Sequence, residues 1–598
     1  MSNLNCLTAA QNNGCLECWP KPLPNASTTI TGKLMQHVLH EDWFSWTASE
    51  KASFVKREVL LGITICFAQV PESVAFAFMA HIKPPIALNA AWVVGLICTL
   101  FGGRSGMVNG AEGAFAAIIS TMVDAPDVQG ENGKGIELLF PSVMCAGAIM
   151  LMVWAIGAHR FITLMAASIM DGFCCGLAIV IGLSQLHPFQ IGHGDDMHWR
   201  SLSDAQTWFM ILIAICSMLT MEFVPKIKHP AAKYFPSSLL AILVAIFLEY
   251  VIVRNISGCS DPDGSGSGSS SDTDLGASNV TGSSNCRTDV IGDVTPFSLT
   301  YPFPFFLNDD YLNTTTGVYG VTTEVSGAQA GTIIMQGLLL AIAGIVQGLM
   351  TSEVVKSYVK TPSHIPSIVW SMGAANLVSG FLGGMGGDAM IGLSTINCLN
   401  GGKSRLAPTI TALGVMLCTI VAYPVLDYIP ISSLAGVMLV VVIHTFKWAK
   451  MPMIVAAGVP RSWRPKINSF CNCNCFPSWL HLPLEVDRWE SLIIVVVSVL
   501  TIAFNLVIGV GVGLVLAAVR FSWGESQQTC VRVVESTADS KRYVLYGTLF
   551  FGSALRFHEN FDYENDPQTV VLEVQERPVE YSAVMAIERI TGLYAAQL

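Results

Sequence analysis

Charge is scarce in this chain. Only 13% of its 598 residues are Asp, Glu, Lys or Arg, while 52% are hydrophobic and the mean hydropathy is +0.53. A soluble globular chain carries about 25% charge, so this one is read as a multi-pass membrane protein. The net charge of −11, with Lys and Arg scattered over short loops, excludes a nucleic-acid-binding patch. A disulfide framework is also missing. Most of the 17 Cys fall inside apolar runs (Cys66, Cys98, Cys145, Cys174, Cys175), where the thiol acts as a small hydrophobe. Cys471, Cys473 and Cys475 alternate with Asn, and no second Cys or His cluster stands near them at zinc spacing. No metal and no cofactor is therefore expected; juxtamembrane thiols, palmitoylated or inert, are the reading kept for CNCNC. The first 50 residues lack the charged start and apolar core of a signal peptide, so the first membrane helix is expected to act as the insertion signal. No nucleophile–base arrangement appears at any motif, so an enzyme is not expected.

Long apolar runs are abundant. Runs of spanning length recur near 58–80, 88–103, 138–158, 162–186, 206–225 and 234–254, and again near 332–355, 366–383, 406–424, 431–447, 488–503 and 505–522. Half-helices near 110–123 and 390–400 bring the total to about fourteen, read as seven plus seven. Lys51, Lys56 and Arg57, Arg104, Arg160, Lys226 with Lys228 and Lys233, Lys356 with Lys360, Lys403 with Arg405, and the 447–466 stretch fall in alternate loops. They share one side, the cytoplasmic one, if the N-terminus is cytoplasmic. Acidic loops hold the other side: Asp124, Asp127 and Glu131, then Asp195 and Asp196, then the long exoplasmic loop 255–330. That loop contains three glycosylation sequons, at Asn255, Asn279 and Asn313, and a candidate Cys259–Cys286 pair. The chain divides into a cytoplasmic segment 1–57, a transmembrane domain 58–523 and a small cytoplasmic α/β domain 524–598.

Two of the spans are broken in corresponding places. FGGRSGMVNGAEGAFAAII runs from Phe101 to Ile119, and FLGGMGGDAMIGLSTIN from Phe381 to Asn397. Each reads as a helix end, a Gly-rich extended stretch and a helix restart. Matching interruptions in two halves are the best sequence pointer to a transporter's substrate site. Irregular backbone at membrane depth survives only where it is buried in protein or lines a cavity. The restarting helices aim free N–H groups and about half a positive charge each at that cavity, which suits an anion.

These segments carry a resemblance. EVLLGITICFAQVPESVAFAFMA looks like the first helix of the sulfate permease (solute carrier 26) family, and GGRSGMVNGAEGAFAAI like its third. DGFCCGLAIVIGLSQL resembles the fifth, GIVQGLMTSEVV the eighth and GGMGGDAMIGLSTINCLNGGKSRL the tenth, and the match covers 58–598. The tail, with YGTLFFGSALRFHENFDYENDPQTVVLEV, resembles the family's STAS domain. About 70 residues follow Cys530, so its last strand or helix is expected to be missing. The resemblance implies a seven-plus-seven inverted repeat, a homodimer, and a core domain moving against a gate domain. It implies transport of sulfate, bicarbonate, chloride, oxalate or dicarboxylates. By motif position it places Glu72, Phe76, Glu112, Gly113, Ala114, Gln347, Thr351, Ile391, Gly392, Leu393 and Ser394 at the substrate site. Backbone N–H groups of about 112–115 and 391–394 are expected to donate to the anion, with Ser394 and Thr351 adding hydroxyls.

Several residues depart from the family pattern. Gln347 stands where many members hold an acid that serves cation coupling. Glu112 stands where others have a small or hydroxyl residue. Asp388 and Asp171 are further acids at membrane depth, where ionisable residues are functional candidates by default. Glu72, Glu112 and Asp388 are the coupling candidates, through a proton on one carboxyl or a cation held between two of them. For Asp171 a structural pair is the alternative, for Glu353 a solvated or paired role, and for Gln347 an interhelical hydrogen bond. The expected function is secondary active transport of a small inorganic anion, sulfate first and bicarbonate second, by an elevator-like motion. An uncoupled channel or exchanger for chloride or oxalate is the rival. The expected location is the plasma membrane, or else an organelle membrane, with both termini cytoplasmic.

Overall fold

The computed structural model describes residues 46–102, 104–123, 138–158, 160, 166–191, 198–201, 204–226, 236–255, 287–294, 327–359, 364–421, 423–460, 462–463, 483, 487–504, 506–528, 530–537, 539–562, 565–567, 569–574 and 580–595. Asn279, Asn313, Cys259, Cys286, the CNCNC stretch and most of the 255–330 loop lie outside them.

Seven membrane segments come first: α1 (Ala48–Met79), α2 (Pro84–Phe101), α3 (Gly113–Val123), α4 (Leu139–Ile156), α5 (Ala167–Ser184), α6 (Ala205–Phe223) and α7 (Ser237–Phe247). A π turn, Leu248–Ile252, and a 3-10 turn, Val253–Asn255, prolong α7. Seven more follow: α8 (Gly327–Tyr358), α9 (Ile365–Phe381), α10 (Ile391–Leu399), α11 (Leu406–Val421), α12 (Ile431–Thr445), α13 (Arg488–Ala503) and α14 (Leu506–Gln528). Among the described residues nine helices are long and apolar enough to cross a membrane, and α3 and α11 are shorter apolar helices. Large apolar side chains such as Ile156, Leu417, Val421 and Phe521 face outward, as a lipid-facing surface requires. The chain is a multi-pass membrane protein.

Local chemistry sets where the helices start. The Thr47 N–H donates to the Glu50 carboxylate (2.8 Å), closing the first turn of α1 ahead of the apolar run at 58. Pro84 and Pro85 open α2, and Pro366 lies in the first turn of α9, where a missing N–H costs nothing.

The packing repeats with a shift of seven elements. α4 packs on α9 as α11 packs on α2, and α11 on α1 as α4 on α8. α5 packs on α13 as α12 packs on α6, and α6 on α7 as α13 on α14. Two bundles result: α1–α4 with α8–α11, and α5–α7 with α12–α14. Contact between them comes chiefly from α1 against α12 and α7, α3 against α5, and α8 against α14.

Small strands join the two breaks. β1 (Asn109–Gly110) pairs antiparallel with β4 (Asp388–Ala389), setting Asn109 opposite Ala389 and Gly110 opposite Asp388. β2 (Gln190–Ile191) and β3 (His198–Trp199) form a separate ribbon. After α14 comes a three-stranded sheet of β5 (Cys530–Ser536), β6 (Ser540–Tyr546) and β7 (Thr569–Val574). β5 and β6 are antiparallel, β6 and β7 parallel, and the helix Tyr581–Ala595 covers the sheet through Ala583, Ala586 and Ile590.

Candidate functional site

The crossing of the two breaks is dense because glycine allows it. A Cβ on Gly387 would come within 2.0 Å of the Gly110 carbonyl oxygen, so a side chain there would force the strands apart. Polar side chains then tie the crossing down. The Asn376 amide on α9 accepts from the Gly387 N–H and donates back to the Gly387 carbonyl, both at 2.9 Å. Gln69 on α1 donates to the Asn109 carbonyl at 3.2 Å. The Met390 N–H donates to the Val108 carbonyl at 3.0 Å.

Two residues expected to donate hydroxyls to a substrate have them engaged here. The Val108 N–H donates to Ser394 Oγ (2.9 Å), and that hydroxyl donates to the Val108 carbonyl (3.3 Å). Thr351 Oγ1 donates to the carbonyls of Gln347 and Ala389, each at 2.9 Å. Both side chains are fully buried. They hold the crossing together, and the donors left for a guest are backbone groups.

The two half-helix N-termini differ. At α10, the Ser394 N–H is already satisfied by the Met390 carbonyl (3.1 Å). The N–H groups of Ile391, Gly392 and Leu393 precede the first intrahelical bond and have no partner among the described residues. A Cβ added to Gly392 would meet nothing within 4 Å, so the backbone there opens on empty space. At α3, Glu112 Oε2 accepts the Ala114 N–H at 2.8 Å. A built-in carboxylate thus sits where an anion would dock, and the Ala114 N–H expected for the substrate is taken. Gly113 is closed in, since its Cβ would lie 2.5 Å from Ile181 and 3.0 Å from Phe76.

That space is a cavity of about 930 Å³ between the two bundles. Glu72 of α1 and Ile391, Gly392 and Leu393 of α10 line one wall; Cys174, Val437, His444 and Lys447 line the facing wall. Phe76, Glu112, Gly113, Ala114, Gln347, Thr351 and Ser394 lie behind the first wall, buried.

The acids sort by their partners. Glu58 accepts from the Lys403 N–H (3.1 Å) and Ser404 Oγ (2.6 Å), capping the approach to α11, and Glu249 accepts the Thr288 hydroxyl (2.7 Å). Both are structural. Asp171 pairs with Lys450 at 3.0 Å, and Glu353 with Lys356 at 3.0 Å, as their paired readings anticipate. Asp388 is different: it is fully buried and neither carboxyl oxygen has a hydrogen-bond partner. Gln347 is equally buried, and its amide stands beside the Glu112 carboxylate. Glu72 and Asp388 each feel the charge of Glu112. The three coupling candidates thus form one electrostatic group around the crossing.

Asn376, Gln69 and Lys447 were not anticipated. A lone Asn inside the apolar α9 was the available signal for Asn376. The others carry no periodic mark.

The profile of the sulfate permease family matches residues 55–272 and 314–457, more than half of the chain. A Bacillus subtilis protein described as a candidate sulfate transporter, YbaR, is 26% identical over 551 residues, covering 91% of this chain and 93% of its own. The bicarbonate transporter BicA of Picosynechococcus sp. is 20% identical over 567 residues, covering 89% and 86%. Among solved structures, the murine Solute Carrier 26 family member A9 anion transporter in the inward-facing state superposes with a TM-score of 0.65. It is 14% identical and covers 99% of this chain and 90% of its own. The transmembrane domain of a cyanobacterial BicA superposes at 0.52, with 18% identity, 77% of this chain and 97% of its own. The fold, the crossed breaks and the profile agree, and the chain belongs to the sulfate permease family.

Proposed function

We propose that this protein is a secondary active transporter of a small inorganic oxyanion, sulfate first and bicarbonate second. The observation that carries the reading is the α10 N-terminus. Three unpartnered N–H groups at 391–393 open on a cavity through a residue with no side chain. An oxyanion accepts several such bonds at once, and the helix dipole adds to them. The related proteins described as sulfate and bicarbonate transporters support the same substrate class.

The motion follows from the two bundles. The anion rests on the bundle that holds both half-helices, and the cavity wall opposite belongs to the other bundle. Their sparse contact lets the first slide as a unit and carry the anion across, an elevator-like cycle. Glu112, Glu72 and Asp388 are the groups through which a proton couples to the anion. Both termini are placed in the cytoplasm, so the cavity mouth beside Lys447 faces inward. The unit 524–598 is read as a STAS domain, the assembly as a homodimer and the membrane as the plasma membrane.

The test is uptake of radiolabelled sulfate, bicarbonate and chloride into proteoliposomes at two pH values, with and without sodium. Saturable sulfate uptake that rises at the lower pH is expected. Chloride conductance without saturable oxyanion uptake would establish the channel reading instead.

A further inference from the structure

The segments that form the α10 and α3 N-termini contain no Lys or Arg facing the cavity, and Glu72 adds an acid to its wall. The opposing wall supplies what is missing. Three basic residues spaced three apart stand at and just beyond the end of α12: His444, Lys447 and Lys450. His444 Nε2 lies 3.4 Å from the Glu222 carboxylate, which also holds Lys226 at 2.5 Å. Lys450 is paired with Asp171 at 3.0 Å. Lys447 makes no ion pair among the described residues, is half-buried and lines the cavity with Gly392 and Glu72. The Lys447 backbone N–H donates to Cys175 of α5, and Cys174 lies within reach of the Lys447 charge, at the turn after α12. Asp171 is thus paired by Lys450 and Glu222 by Lys226, which leaves the charge of Lys447 to the cavity.

We infer that Lys447 is the anion-facing cation of this cavity and sets the preference for divalent over monovalent anions. The inference rests on the proposed oxyanion transport. Its energy is Coulombic, proportional to the charge of the anion at a given distance. Removing the lysine charge therefore weakens a dianion by the square of the factor by which it weakens a monoanion. Lys447 belongs to the bundle that does not carry the half-helices, so its help is given only in the state in which the cavity is open to it. It acts on entry and release.

The experiment compares KM and kcat for sulfate and bicarbonate in wild type, Lys447→Gln, Lys447→Arg and Lys450→Gln, in proteoliposomes at constant ionic strength. Lys447→Gln should raise KM about threefold for bicarbonate and about tenfold for sulfate, with kcat retained. Lys447→Arg should restore both values. Added inert salt should shrink the difference, because a cavity open to solvent is screened. Lys450→Gln, which leaves Asp171 unpaired, should lower thermal stability, a readout that Lys447→Gln leaves unchanged. Lys447→Met serves as the second charge-removing variant if the Gln protein fails to reach the membrane. An equal rise in both KM values, or no recovery with Arg, overturns the inference. If the wild type carries neither anion, the transport reading fails and the inference falls with it.

Discussion

Replacing Gly392 by Val separates binding from folding. The added side chain meets nothing within 4 Å, so no packing is disturbed. Gly in a helix costs about 0.8–1.0 kcal/mol relative to Ala, and Val is no worse than Gly, so stability should hold or rise slightly. The isopropyl group instead fills the space over the N–H groups of 391–393. A hydrogen bond to a charged group contributes about 1.5–3 kcal/mol, so losing two of them costs roughly 3–6 kcal/mol of anion affinity. At 1.4 kcal/mol per tenfold, that is a loss of about 10²–10⁴ in apparent affinity. Gly392→Ala, a smaller obstruction, should lose about tenfold or less. The assay is sulfate uptake in proteoliposomes beside thermal unfolding of the same preparations. Uptake by Gly392→Val at the wild-type rate, with the protein folded, would refute the backbone-cradle argument outright. Unfolding of the variant would contradict the open geometry at this position.

Three further outcomes follow from the same geometry. An ionised Glu112 repels an arriving anion and a protonated one does not, so wild-type uptake should rise as pH falls; Glu112→Gln, whose amide oxygen can still accept the Ala114 N–H, should flatten the profile while keeping anion exchange, and a full pH dependence in the variant would make Glu112 a structural cap. Sodium should leave uptake unchanged within about twofold, because Gln347 offers a dipole where hard cations prefer a carboxylate; a steep sodium dependence would contradict this, and Gln347→Glu should be the change that introduces one. In the C-terminal unit, burial pushes the Asp566 carboxyl up, but donors from Lys541 (2.5 Å), Tyr594 (2.5 Å) and Tyr543 (2.7 Å) outweigh it and hold the carboxyl below its ordinary value. Its stabilisation is therefore present above the ordinary carboxylate range and lost as pH falls through about 4 and below. Asp566→Asn should cost about 1–3 kcal/mol at neutral pH and remove that acid-side loss, read by chemical unfolding of the full chain at two pH values.

The architecture was legible because lipid imposes it on composition. Runs of spanning length and paired Gly-rich breaks are one-dimensional signals, and the half-helices read near 110–123 and 390–400 are α3 and α10. The Gly392 opening was legible for the same reason. The fate of side-chain protons was not. Thr351 lies one helical turn from Gln347, which suggested a shared face, but its hydroxyl goes to the carbonyls of Gln347 and Ala389. The struts of the site join residues far apart in sequence. Arg104 donates to the Ser352 carbonyl at 3.1 Å and Glu58 accepts from Ser404, pairs separated by 248 and 346 positions. Nothing local marks such partners, because each is an ordinary polar residue until the two halves fold together. The asymmetry between the half-helices, one closed by Glu112 and one open at Gly392, also appears only in three dimensions.

The account places the anion at the open N-terminus of α10, and locating a heavy analogue of it tests that placement most directly. Selenate can be mapped by anomalous scattering in crystals of the protein grown without sulfate. The account predicts one strong selenium peak about 4 Å from the backbone nitrogens of 391–393, with the selenate oxygens at hydrogen-bond distance from them, on the cavity side of Gly392 and absent from crystals of Gly392→Val. A peak at the α3 N-terminus in place of the Glu112 carboxylate, with none at α10, would contradict it.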